Sequence, residues 1–229
     1  MTGAPQAAMV FAAGLGTRMG ALTAARPKPL VEVAGRALID HALGLVAAAG
    51  VGRVVVNTHY LAGMLEAHLA GRAGVAISHE PALLDTGGGL RAALPLLGPG
   101  PVFTLNSDAV FTGPNPLATL RGAWGEGCEA LLLVVPAARA RGRTGGGDFA
   151  LSPDGRLRRG GDLVYTGAQI VHPGGLAAFP EPAFSLNRLW DAAAARGGLR
   201  GVVHPGGWCD VGHPGGVVGA EAMLAEAGA

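Results

Sequence analysis

Short apolar runs alternate with helix-period segments through the first 135 residues. AMVFAA at Ala8–Ala13 is a continuous apolar run, the pattern of a strand buried on both faces. Within Arg36–Ala49, Leu38, Ile39, Ala42, Leu43 and Val46 recur at helical spacing, and Gly50 suits the helix stop. Val54–Asn57, Val75–Ser78, Val102–Leu105 and Ala130–Val135 read as further strands. Leu61–Leu69, Leu90–Leu97 and Pro116–Trp124 read as helices, the second beginning after a glycine run and carrying Pro95 near its end. This β-α-β-α rhythm predicts an α/β fold whose mostly parallel sheet carries helices on both faces.

Beyond Pro136 the rhythm breaks. Arg139–Gly147 (RARGRTGGG) is basic and glycine-rich, as in a mobile surface loop. Phe149–Leu151, Leu163–Tyr165 and Gln169–Val171 predict short strands of a mixed or antiparallel insertion. Ser185–Ala195 reads as a helix with Ser185 at its N-cap, Val202 and Val203 open a last strand, and Gly219–Ala227 forms a terminal helix. No linker separates a second unit, so residues 1–229 are expected to form one domain.

Composition narrows the function classes. With 49% hydrophobic and 14% charged residues, the 229-residue chain can bury a sizeable core, which excludes disorder. The net charge of +1 supplies no field for a nucleic-acid backbone, so no nucleic acid is expected as partner. The longest strongly apolar stretch, Ala42–Gly52, falls short of the roughly 20 residues of a membrane span, and the N-terminus has no basic residue before its apolar run. A cytoplasmic protein with no membrane partner is expected. Cys128 and Cys209 alone make neither a disulfide framework nor a four-ligand zinc site.

The chemistry concentrates at strand ends. GLGTRMGALTAARPKP (Gly14–Pro29) directly follows the first strand, where open α/β sheets bind ligands. Gly14 and Gly16 permit close backbone approach to a phosphate, and Arg18 and Lys28 add two cations. The loop lacks the Gly-Lys-Ser/Thr of a P-loop, and Met19 stands where a dinucleotide fingerprint needs glycine. Asp108 closes VFTLNSD and Asp210 sits in GGWCDVGH, each just past a strand. Two carboxylates facing a phosphate loop suit Mg²⁺, a hard cation that favours one or two carboxylates with phosphate oxygens and water.

GLGTRM, the PKPL of Pro27–Leu30, a strand ending in Asn-x-Asp and a late Trp-x-Asp-Val-Gly together resemble the sugar-1-phosphate nucleotidyltransferase family over nearly the whole chain. DTGGG at Asp85–Gly89, GDF at Gly147–Phe149 and the short length are most similar to its N-acetylmuramate-1-phosphate uridylyltransferase branch, whose members serve cell-wall recycling. Mannose-1-phosphate guanylyltransferases share most of the same core. The resemblance implies a Rossmann-like three-layer sandwich of the nucleotide-diphospho-sugar transferase type, taking a nucleoside triphosphate and a sugar 1-phosphate as partners and Mg²⁺ as cofactor. Its nucleotide-binding half would cover about 1–110 and its sugar-binding half about 111–229. The likeness implies nucleotide binding by Ala13, Gly14, Gly16, Thr17, Arg18, Lys28, Gly87 and Gly88, with Arg18 and Lys28 catalytic. Asn106, Asp148, Thr166 and Gly167 would hold the sugar, and Asp108 and Asp210 the metal. Three positions depart from the family pattern: Ser107 for glycine, Asp85 for glutamate and His213 for threonine.

Overall fold

A computed structural model of the chain describes residues 3–228. In the first half, β1 (Ala7–Phe11) precedes a small ladder of β2 (Glu32–Val33) and β3 (Arg36–Ala37). Then come α1 (Leu38–Ala48), β4 (Arg53–Thr58), α2 (Ala62–Leu69), β5 (Val75–His79), α3 (Asp85–Leu97) and β6 (Val102–Asn106). The second half continues with β7 (Ala109–Phe111), α4 (Pro116–Ala123), β8 (Ala130–Pro136), β9 (Ala140–Arg141), β10 (Phe149–Leu151) and β11 (Leu157–Arg159). β12 (Leu163–Val171), α5 (Asn187–Ala195), β13 (Leu199–Val203), β14 (Trp208–Asp210) and α6 (Pro214–Glu226) complete it.

The main sheet runs β13-β8-β12-β6-β1-β4-β5, with β10 and β11 added beside the start of β12. β6, β1, β4 and β5 are mutually parallel, as βαβ crossovers require, whereas β12 runs antiparallel to both neighbours. Apolar side chains cover both faces. Ile39, Ala42, Leu65, Leu117 and Leu120 bring α1, α2 and α4 onto one. Leu90, Ala93, Leu97, Leu189 and Trp190 bring α3 and α5 onto the other. The result is the anticipated three-layer α/β architecture with a mostly parallel mixed sheet. Among the described residues no helix is long and apolar enough to cross a membrane.

Val202 and Val203 close β13 rather than open a strand, and α6 begins at Pro214 rather than Gly219. Other segments differ from their sequence pattern for a tertiary reason. The glycine run is the first part of α3, because any side chain there would collide with the 182–184 segment or Glu80, and packing outweighs glycine's poor helix propensity. Leu163–Tyr165 and Gln169–Val171 form one strand, β12, whose register shifts around Gly167. α5 begins at Asn187 rather than Ser185, although the Ser185 hydroxyl still accepts from the Asn187 N–H at 3.2 Å. The basic 139–147 loop is anchored through its first half. β9 pairs with β14, Arg139 donates to the His204 carbonyl, and the His213 ring bonds the Gly142 carbonyl at 2.9 Å.

A separate three-stranded sheet, β7-β14-β9, stands past the end of β6. It packs with α6 and the 3₁₀ turn at Thr17–Thr23 around Met19, Val110, Cys209, Val211 and Met223. This small core fixes the phosphate-type loop against the strand that carries Asp210.

Candidate active site

The carboxyl ends of β1 and β6 open into a cavity of about 210 Å³. Ala13, Gly14, Lys28, Asn106 and Asp108 line it, together with Glu80, Asn57 and Leu83. A second cavity, about 300 Å³, adjoins it and shares Phe11, Asp85, Thr86 and Asn106 as a common wall. Asp148, Arg143, Arg159, Tyr165, Gln169 and Trp190 line that second chamber.

Local structure explains the loop's glycines. Gly16 has φ +65°, and a Cβ there would lie 3.0 Å from the Lys28 Cβ and 3.1 Å from Thr23 Cγ2. Only glycine lets the turn close on Lys28. Gly14, by contrast, faces open space beside the first chamber. Thr17 and Arg18 are exposed on the following turn.

The two aspartates meet through the small sheet. Asp210 pairs with Ala109, and the Val211 N–H donates to the Asp108 carbonyl at 2.9 Å. Burial, then the negative charge of Asp108, pushes the Asp210 carboxyl above its ordinary range, against the opposing pull of Lys28, Arg18 and Arg143. The Lys28 ammonium is bonded to Asp108 Oδ2. On the other side, a Cβ at Gly212 would stand 3.1 Å from both the Arg18 guanidinium and the Asp210 carboxylate oxygens. Two acids are thus held together between two cations at the ligand edge of the sheet.

That donor set fits a hard divalent cation. The acids repel one another, and the nearby lysine already supplies a compensating positive charge. Among the described residues no group of three or more His, Cys, Asp or Glu side chains is arranged to hold a metal. The two carboxylates would therefore share such an ion with oxygens of a phosphate and water, the usual arrangement for Mg²⁺.

Not every expected residue faces a chamber. Gly87 and Gly88 are buried behind Pro182–Phe184, and both N–H groups donate to the Phe184 carbonyl at 2.8 and 3.1 Å. That carbonyl satisfies the start of α3, so the helix end offers a ligand little there. The buried Thr166 hydroxyl donates to the Leu133 carbonyl at 2.8 Å. Gly167, at φ +83°, presses on Asn106, where a Cβ would come within 2.9 Å of that side chain. Thr166 and Gly167 therefore support the wall from behind. Asp148 lies in the second chamber, accepting from Arg143 Nη2 at 2.5 Å and from the Tyr165 N–H at 2.9 Å.

Sequence reasoning missed the buried acid of the first chamber. Glu80 is 2% exposed and accepts from Asn57 Nδ2 at 2.7 Å and from the Leu84 N–H at 3.1 Å. Asn57 Oδ1 in turn accepts from the Ala12 N–H at 2.7 Å, tying this network to β1. Glu-Pro immediately ahead of DTGGG is the available signal, but it equally marks a strand end. Trp190 is buried; it donates to Gln169 Oε1 at 2.8 Å and also forms chamber wall. Arg159 carries no signal, being one arginine of a hairpin.

Comparison with known proteins agrees with this architecture. The MobA-like NTP transferase domain model matches residues 8–209. The chain is 45% identical to N-acetylmuramate alpha-1-phosphate uridylyltransferase of Caulobacter vibrioides, over 99% of this chain and all of that one. It is 36% identical to the enzyme of the same name from Neisseria meningitidis, over 90% and 92% of the two chains. A putative glucose-1-phosphate thymidylyltransferase from Bacillus anthracis superposes with a TM-score of 0.80 at 14% identity, covering 94% of each chain. HddC from Yersinia pseudotuberculosis, complexed with GMP-PN, gives 0.75 at 18% identity over 95% of this chain and 99% of that one. With its fold, its strand-end loop and these relatives taken together, the chain belongs to the MobA-like NTP transferase family.

Proposed function

We propose that this nucleotidyltransferase moves a uridylyl group from UTP to N-acetylmuramate 1-phosphate, with Mg²⁺ held by Asp108 and Asp210. The observation that carries the reading is the cluster of Arg18, Lys28, Asp108 and Asp210, of which Lys28 and Asp108 line the first of two adjoining chambers. The uridylyltransferase relatives, alike over nearly the whole chain, support the choice of base and sugar. One domain serves both substrates, the nucleotide chiefly in residues 1–110 and the sugar chiefly in 111–229, in a cytoplasmic setting.

An oxygen of the sugar phosphate attacks the α-phosphorus, a new P–O bond forms, the α–β bridge breaks, and pyrophosphate leaves with its electron pair. The nucleophile is already anionic, so no general base is required. The barrier lies in bringing two polyanions into line. Gly14 and Gly16 let the first loop approach the triphosphate, with Ala13 and Thr17 beside them. Arg18 and Lys28 oppose its charge, and Lys28 exchanges its contact with Asp108 for phosphate oxygens. Gly87 and Gly88 keep the base pocket's rear wall close. Asn106 and Asp148 hold the sugar, braced by Thr166 and Gly167. When bound, the divalent ion supplies charge neutralisation at the phosphates.

Pyrophosphate release from the four common nucleoside triphosphates, each with N-acetylmuramate, N-acetylglucosamine, mannose and heptose 1-phosphates, tests the reading. UTP with N-acetylmuramate 1-phosphate, active only with Mg²⁺, is the expected best pair. Preference for GTP with the mannose or heptose phosphate would replace it by a guanylyltransferase. Nucleotide-sugar binding without pyrophosphate from any pair would make the chain a sensor.

A further inference from the structure

The second chamber carries an arginine whose charge its own surroundings leave partly uncommitted. Arg143 forms an ion pair with Asp148 through Nη2 at 2.5 Å, while its buried Nε has no hydrogen-bond partner among the described residues. Asp85, on the wall shared with the first chamber, turns its carboxylate to the Thr86 N–H at 2.5 Å. Arg159 differs from both in resting on aromatic rings, with its acidic partner outside the chamber. Its guanidinium carbon sits 4.9 Å from the Phe149 ring centroid and 5.6 Å from that of Trp190, so the planar group is stacked on an aromatic floor. Nε and Nη2 both reach the same oxygen of Asp191, at 3.0 and 2.8 Å, and Nη2 also lies 3.4 Å from the Asn187 carbonyl. Among the described residues Nη1 has no hydrogen-bond partner. Asp191 lies outside the chamber and is more exposed than Arg159.

Arg159 also borders an outer groove lined by Arg156 and Arg158, and Arg158 has no ion-pair partner among the described residues. Three arginines therefore gather where the second chamber meets solvent, with Asp154 and Asp191 as acidic neighbours of Arg156 and Arg159. The phosphate of an uncharged hexose gains no ion pair there, because its one charged group belongs at the metal site. A sugar bearing a carboxylate on its far side does. From this placement we infer that Arg159 is the specificity-determining residue of the sugar site, reading the lactyl carboxylate of the acceptor through Nη1. The inference rests on the proposed reaction and adds to it the group that separates a muramate from a glucosamine. The stack on Phe149 and Trp190 fixes the Arg159 guanidinium before a ligand arrives, so little side-chain entropy is lost on binding.

The test is the ratio of kcat/KM for N-acetylmuramate 1-phosphate to that for N-acetylglucosamine 1-phosphate, with UTP and Mg²⁺, in the full chain. Arg159→Met keeps the apolar stem over the rings. It is expected to lower the ratio by about 10- to 100-fold, through KM for the muramate substrate, the scale of one lost charge-assisted contact. Asp191→Asn frees Arg159 from its outer partner and should keep or raise the ratio. An unchanged ratio in Arg159→Met overturns the inference while leaving the proposed reaction standing. Equal losses on both sugars also overturn it, since the contact would then be to the common phosphate or to the fold. A fall of the ratio in Asp191→Asn matching that in Arg159→Met assigns the effect to wall structure and likewise overturns it. A wild-type preference for the glucosamine substrate brings down the proposed acceptor itself.

Discussion

The two chambers are built on different principles. The first lies at the ends of parallel strands and is made of the small residues Ala12, Ala13 and Gly14, the short side chains that follow β6 and a buried Glu80–Asn57 network. The second lies over the antiparallel β12 and is made of long side chains, Arg143, Arg159, Tyr165 and Trp190, anchored on separate elements. Tight backbone turns suit a triphosphate common to many enzymes. Side chains on a hairpin and a helix can be exchanged without disturbing the strands, which suits the substrate that varies. On the proposed reading, the difference separates where chemistry is fixed from where selectivity is set.

The largest expected effects break the cluster of acids and cations beside the first chamber. Asp108→Asn and Asp210→Asn should each lower kcat by at least about 10²-fold with circular dichroism unchanged, on the scale of other electrostatic sites. Arg18→Met and Lys28→Met should lose a similar factor. Activity within about twofold of wild type in either pair would separate those residues from the reaction, being far below that scale.

Asp210→Asn should also stabilise the chelator-treated protein. Its folded-state carboxyl is raised by burial and by Asp108, so the folded form favours the neutral acid. The cost of ionisation is absent below the ordinary carboxylate range, grows as pH rises from there to the raised value, and is complete above it. The variant's gain in melting temperature should therefore be present at neutral pH and fade on acidification. A gain independent of pH would point to packing instead.

Gly89→Ala sharpens the comparison from the nucleotide side. Its Cβ would meet Glu80 Oε1 at 2.6 Å, so a cost of about 1–3 kcal/mol in denaturant unfolding is expected, with a higher KM for the nucleotide. The smallest effect belongs to Arg196→Ala. Its hydrogen bond holds the Glu129 carboxyl below the usual range, yet the pair is exposed, and the melting temperature should not move measurably.

The first half of the chain is the more legible in the sequence, because its signals are local. AMVFAA, GLGTRM and LNSD each join a strand to its own functional turn, and strand ends fix where such turns lie. The contacts between the two halves are assembled across distance. Phe184 caps α3 from about a hundred residues away, and Arg91 fastens the same segment by donating to the Phe179 and Glu181 carbonyls. No spacing announces such contacts. The glycine run misleads for the same reason: three glycines look like a loop until the side chains crowding them are known. Arg139–Gly147 looks free because its partners, Trp208, Cys209 and His213, lie some seventy residues onward.

The rung between Val211 and Asp108 has a mechanical meaning for the acid pair. Ladder partners cannot drift apart, so the two acids stay neighbours whatever binds. Lys28 and Arg18 carry the task of offsetting their repulsion in the free protein. An ion that arrives there takes over part of that task, which frees the cations for an incoming anion: the seat is laid by the fold before either substrate enters.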